Sequence, residues 1–104
     1  MSRDRSQRRE AERKLEKIIE AREKLFAMSP GGAPDNPILL GSASLVEARA
    51  TSIDCPRCAE PTLRVEEHTA ETVGGARLRT TRLRCAQCGR ERRLWFKLGS
   101  MMAN

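Results

Sequence analysis

The sequence predicts a small, mainly β domain preceded by an N-terminal α-helix and an extended Pro/Gly-rich arm. Three observations carry this expectation. Residues 1–28 contain neither Gly nor Pro and are rich in Glu, Lys, Arg and Ala, all good helix formers. A Pro/Gly cluster follows at Pro30, Gly31, Gly32, Pro34 and Pro37, which stops a helix and favours extended backbone. Beyond it, stretches of alternating polar and apolar residues are bracketed by two Cys-x-x-Cys pairs, and alternation with period two is the mark of strands.

The helix has acid-first pairs four apart, Asp4–Arg8, Glu10–Lys14 and Glu20–Lys24, an order that supports helices. Ser2 or Asp4 suits its N-terminal cap. Its apolar residues, Leu15, Ile18, Ile19, Leu25 and Phe26, recur at spacings of three and four and make a narrow stripe along the second half. That stripe must face either the rest of the chain or another protein. Residues 29–52 read as a linker or arm: "PILL" forms a short strand, and "SASLVEA" is ambiguous. Ser44 and Glu47 have capping-box spacing, yet the same residues alternate, and the extended reading is preferred.

Residues 53–98 form the third segment. "TLRVEEHTAETV", "ARLRTTRLRC" and "ERRLWFKL" are three strands, the first two joined at Gly74–Gly75. Together they predict a three-stranded antiparallel sheet with a cysteine pair at one end. Residues 99–104 are expected to be a loose tail. Only three aromatic side chains are present, Phe26, Trp95 and Phe96. A core that small usually needs a staple.

Cys55, Cys58, Cys85 and Cys88 are all the cysteines of the chain. A pair two residues apart on a tight turn points both sulfurs at one spot, and two facing turns offer four thiolates in the tetrahedron Zn²⁺ prefers. Gly89 after Cys88 suits a turn that needs positive φ, whereas Ala59 after Cys58 suggests a less ideal first turn. The order of knuckle, hairpin, second Cys-x-x-Cys-Gly knuckle and closing strand resembles the zinc-ribbon class over Ile53–Leu98. That resemblance implies one structural Zn²⁺, but no particular function, since such ribbons occur in polymerase subunits, transcription factors, ribosomal proteins and enzymes alike. A rubredoxin-like iron site fits a basic, aromatic-poor chain less well. A redox dithiol at "CPRC" leaves Cys85 and Cys88 unexplained and lacks a βαβ scaffold. His68 reads as a surface strand residue.

Four thiolates close the coordination sphere, and no second constellation suggests catalysis, so a non-enzymatic protein is expected. No apolar stretch approaches the roughly 20 residues that span a bilayer, and no secretory signal is evident. The expectation is a cytoplasmic protein whose cysteines are thiols or ligands.

Sixteen of the twenty cations are Arg, and the net charge of +6 is uneven: +3 over residues 1–28, −4 over 29–75 and +7 over 76–104. A basic balance favours nucleic acid or a ribonucleoprotein, although Arg-rich composition also follows from genome base content. Arg57, Arg84, Arg90 or Arg92 would offset a zinc–thiolate centre of net charge near −2. Arg77, Arg79, Arg82, Arg92, Arg93 and Lys97, with Trp95 placed to stack on a base, form the candidate nucleic-acid face. The competing reading packs Trp95 under the helix or the linker. Leu15, Ile18, Ile19, Leu25 and Phe26 are the candidate anchors for a partner protein or for self-association.

Overall fold

A computed structural model describes residues 2–99, with side chains from Asp4 onward; the tail at 100–104 and the proposed cap at the Ser2 side chain lie outside the described residues. The elements are helix α1 (Ser2–Met28), strand β1 (Ile38–Leu40), a 3-10 turn (Ala43–Leu45), helix α2 (Val46–Thr51), and strands β2 (Leu63–Val73), β3 (Ala76–Cys85) and β4 (Glu91–Leu98).

The chain is therefore an N-terminal helix followed by a sheet, as expected, but the sheet is four-stranded and mixed rather than three-stranded and antiparallel. Its order is β1-β4-β3-β2. β2–β3 and β3–β4 are antiparallel as expected, while β1 adds in parallel beside β4, with Ile38 opposite Phe96 and Leu40 opposite Leu98. The physical reason lies in the Pro/Gly segment, which folds back instead of running out. Trp95 N–H donates to the Gly31 carbonyl (3.0 Å), Gly31 N–H to the Asn36 carbonyl (2.6 Å), and Gly99 N–H to the Leu40 carbonyl (3.0 Å). Gly32 is required here: an added Cβ would lie 2.2 Å from the Phe26 carbonyl oxygen.

The second departure is "SASLVEA", which is helical and not extended. Ser42, in extended conformation, caps the turn by accepting from Ser44 N–H (3.2 Å). α2 then buries Val46 and Ala50 completely. This stretch is helical because Val46 and Ala50 are buried while Ala48 between them is exposed, whereas a strand would turn all three to one face.

The core sits on one face of the sheet. Ile38, Val46, Ala50, Leu63, Leu83, Leu94 and Phe96 cluster with Cys55 and Cys85, and Phe26 packs against them from α1. Only this end of α1 is seated. Every described side chain from Asp4 to Ile18 is exposed, so the helix projects and the molecule measures 67 × 22 × 22 Å. None of the expected i,i+4 pairs closes to an ion pair within 4.0 Å among the described residues.

Candidate metal centre

Each knuckle is a turn between ordered segments, and the two have the same backbone. In the first, Ala59 N–H donates to the Cys55 carbonyl (2.7 Å) and Cys55 N–H to the Glu60 carbonyl (2.9 Å). In the second, Gly89 N–H donates to the Cys85 carbonyl (2.9 Å) and Cys85 N–H to the Arg90 carbonyl (3.0 Å). Both turns pass through left-handed backbone at the corresponding residue, Ala59 at φ 56 and Gly89 at φ 77. The first turn thus has the geometry expected of the second, despite lacking glycine.

The start of β2 holds the turns together. Leu63 lies opposite Cys85, and Ala86 N–H donates to the Thr62 carbonyl (2.8 Å). All four sulfurs lie within 4.8 Å of one another. Cys55 Sγ is 3.8 Å from Cys88 Sγ, and Cys58 Sγ is 3.7 Å from Cys85 Sγ. A tetrahedron with about 2.3 Å metal–sulfur bonds has edges of about 3.8 Å. Disulfides would bring sulfurs to about 2.05 Å, and all four cysteines are free. The donor set and its spacing therefore fit a tetrahedral thiophilic divalent ion.

The electrostatics are uneven. Burial raises the Cys85 thiol, but the Cys88 N–H, the Thr62 hydroxyl 3.0 Å away and the Gln87 N–H outweigh it and pull Cys85 down to about 5. Cys58 is pushed up to about 12, first by burial and then by hydrogen bonds and charge among the other cysteines. Without an ion, one sulfur takes the negative charge and a neighbour keeps its proton. A divalent ion that needs four thiolates must displace such protons, so its binding is pH-dependent.

His68 is outside this cluster. It stands on the core side of β2, opposite Thr81, with Nδ1 3.2 Å from Glu47 Oε2 on α2.

The expected basic residues are divided between faces. Partners across antiparallel strands point to the same side. Arg79 is opposite Phe96 and Arg92 opposite Leu83, so Arg77, Arg79 and Arg92 stand on the core side. Arg82 is opposite Arg93 and Thr80 opposite Trp95, so Arg82, Arg93, Trp95 and Lys97 share the outer face. Trp95 is half-buried there, away from the seat of α1. Acids of β2 and the first residue of β4 meet the cations of β3: Arg82 reaches Glu66 (2.8 Å), Glu67 (3.3 Å) and Glu91 (3.6 Å), and Arg84 reaches Glu66 (3.1 Å) and Glu91 (3.8 Å). The contact with Glu67 raises the Arg82 pKa. A bulge at Glu66 brings Glu67 opposite Arg82, a register that spacing alone does not reveal.

Arg92 has a separate role. Its guanidinium pairs with both carboxylate oxygens of Glu23, one at 2.7 Å, and lies 5.8 Å from the Phe26 ring centroid. Glu23 falls below the usual carboxylate range chiefly through that hydrogen bond. Nearby, Arg22 Nη2 donates to the carbonyl of Arg57, inside the first knuckle (3.1 Å). Glu23 and Arg22 are the residues the sequence reading missed. Their only signal was position, one turn before Phe26 on a helix whose apolar stripe needed a seat. Of that stripe, Ile19 and Phe26 are partly buried, while Leu15 (53 %), Ile18 (53 %) and Leu25 (66 %) remain exposed.

Comparison of the chain with protein-family models, curated proteins and solved structures returned no match. Among the described residues no helix is long and apolar enough to cross a membrane.

Proposed function

We propose that the protein is a non-enzymatic, zinc-ribbon-like docking module in which one structural Zn²⁺ on Cys55, Cys58, Cys85 and Cys88 organises the sheet, and α1 is held out to a partner protein. The metal part rests on the sulfur spacing and the closed four-thiolate donor set, which leaves no position for water or substrate. The docking part rests on one observation: α1 projects with Leu15, Ile18 and Leu25 exposed, an apolar stripe typical of helices that enter a groove or a helical seam.

The test begins with metal analysis of the native, gently purified chain and proceeds to affinity capture with and without nuclease. The expected result is one zinc per chain and a nuclease-resistant partner, lost when Leu15 and Ile18 are both replaced by Asp while zinc content and circular dichroism stay unchanged. A monomer that recovers no partner, with residues 4–18 disordered in solution, overturns the docking reading.

A second reading, contact with nucleic acid or a nucleic-acid-handling complex, is favoured by Arg93, Trp95 and Lys97 sharing the outer face of β4. An indole between cations can stack on a base while its neighbours hold phosphates. The ion pairs of Arg82 and Arg84 leave that face of mixed charge, so this reading takes second place. It predicts binding that weakens steeply with salt and falls further on charge reversal at Arg93 and Lys97. Failure to bind either RNA or DNA at about 50 mM salt removes it.

A further inference from the structure

The last two turns of α1 meet the first knuckle, Arg92 of β4 and the core cluster. Arg22 donates to the Arg57 carbonyl between Cys55 and Cys58. Glu23 clamps Arg92, whose side chain is only 12 % exposed. Phe26 packs on the core cluster that contains Cys55. Between helix and knuckle runs a groove of about 340 Å³, with Leu25 and Phe26 on one wall and Cys55, Pro56 and Ala59 on the other. In the second knuckle Ala86 is exposed where Pro56 of the first is buried, and the remaining turn residues match in exposure.

We propose that this end of α1 is the outer layer of the metal site, so that a seated helix slows release of the ion and an unseated one speeds it. The inference rests on the reading of the four cysteines as a zinc centre. Three physical effects act together. Arg92 sets guanidinium N–H donors within reach of Cys55, and the Glu23 pair fixes where they sit. The Arg22 bond holds the knuckle backbone that carries Cys55 and Cys58. Phe26, packed on the core cluster that contains Cys55, backs the buried side of that ligand. Groups of this kind around metal ligands are worth about 10–100-fold in metal affinity. Linkage makes the effect reciprocal: a partner that draws α1 off the knuckle loosens the metal, and loss of the metal dissolves the seat of the helix.

The experiment uses the zinc-loaded full chain and follows transfer of zinc to a chromogenic chelator. Glu23→Gln removes the charge that orients Arg92 while preserving shape. Arg22→Gln removes the bond to the knuckle while leaving the ion pair intact, and Glu16→Gln on the projecting part of α1 is the control. Backbone ¹⁵N relaxation over residues 19–28 reports whether the helix is seated, and metal content reports whether the site is filled. The expected result is a release rate raised about tenfold in Glu23→Gln and several-fold in Arg22→Gln. The helix loosens in both variants, the sheet is unchanged, and the control matches the parent chain. Release no faster than the control, with the helix visibly loosened, overturns the proposal while leaving the zinc site standing. A parent chain that holds no zinc overturns both, and metal analysis tells the two failures apart.

Discussion

The two knuckles have one backbone and two kinds of support. The second is stabilised largely from within: Cys85 Sγ accepts from Gln87 N–H and Cys88 N–H at 3.3 Å each and Gly89 adopts positive φ without side-chain conflict, while Thr62, just before β2, adds a hydroxyl 3.0 Å from Cys85 Sγ. The first is stabilised from outside, by Arg22, Glu23 and Phe26 of a helix some 30 residues upstream and by Arg92 of the last strand. Ala59 makes the same left-handed turn there at a steric cost that glycine avoids. A turn that carries its own bonds can stand at an exposed corner. A turn that borrows them becomes a place where the rest of the molecule, or a partner, can act.

The largest effect should ignore this difference. On the zinc reading, removing the ion, or replacing Cys55 or Cys85 by Ser, takes away the staple of a core with few large side chains. Structural zinc in small domains supplies apparent binding free energies of about 10–16 kcal/mol. Loss of the β signal in circular dichroism on chelation, and its return with stoichiometric zinc, is the expected outcome in both knuckles. Acid should act in the same direction. Metal binding removes the proton that Cys58 holds in the ion-free cluster, where its thiol is pushed up to about 12, so retention falls as pH falls. A sheet that survives chelation at neutral pH would show that the sulfurs are spectators.

Sequence and structure agree where signals are local. The strands β2, β3 and β4, the Gly74–Gly75 turn and the cysteine cluster follow from period-two alternation and from spacing within a few residues. What escaped the sequence depends on contacts between distant segments. β1 is three residues long and lies beside β4 only because the Gly31–Gly32 backbone folds back onto it. The 3-10 turn and α2 satisfy helical and alternating patterns equally until Ala48 is seen exposed between the buried Val46 and Ala50. The acids that meet Arg82 are 15 and 16 positions away on β2, and only the hairpin register brings Glu66 and Glu67 to it. Glu23 and Arg92 are 69 positions apart, and nothing in either neighbourhood announces their pairing.

Smaller effects separate the knuckles. Gly89→Ala places a Cβ in left-handed backbone, which costs about 1–2 kcal/mol. Open space surrounds that position, so strain and not collision sets the cost. The variant should keep its zinc but unfold at lower denaturant, when measured at fixed free zinc so that metal loss does not enter. An unchanged midpoint would mean that the second knuckle relaxes its turn freely, against its dense internal bonding.

The converse substitution, Ala59→Gly, has the smallest expected effect and the most informative sign. Glycine relieves the left-handed strain at φ 56, yet it also enlarges the unfolded ensemble, which works against stability by about 0.4–1 kcal/mol. The strain is the larger of the two, at about 1–2 kcal/mol for a residue with a Cβ. A net gain of about 0.5–1 kcal/mol is therefore expected, read as a raised denaturation midpoint at fixed free zinc. Because Ala59 lines the groove beneath α1, the same variant also tests whether the outside support depends on its methyl group. A gain in stability with an unchanged zinc release rate assigns Ala59 to backbone strain alone. A loss of stability would mean that packing against the helix outweighs the turn, and that the first knuckle is shaped by α1 more than by its own residues.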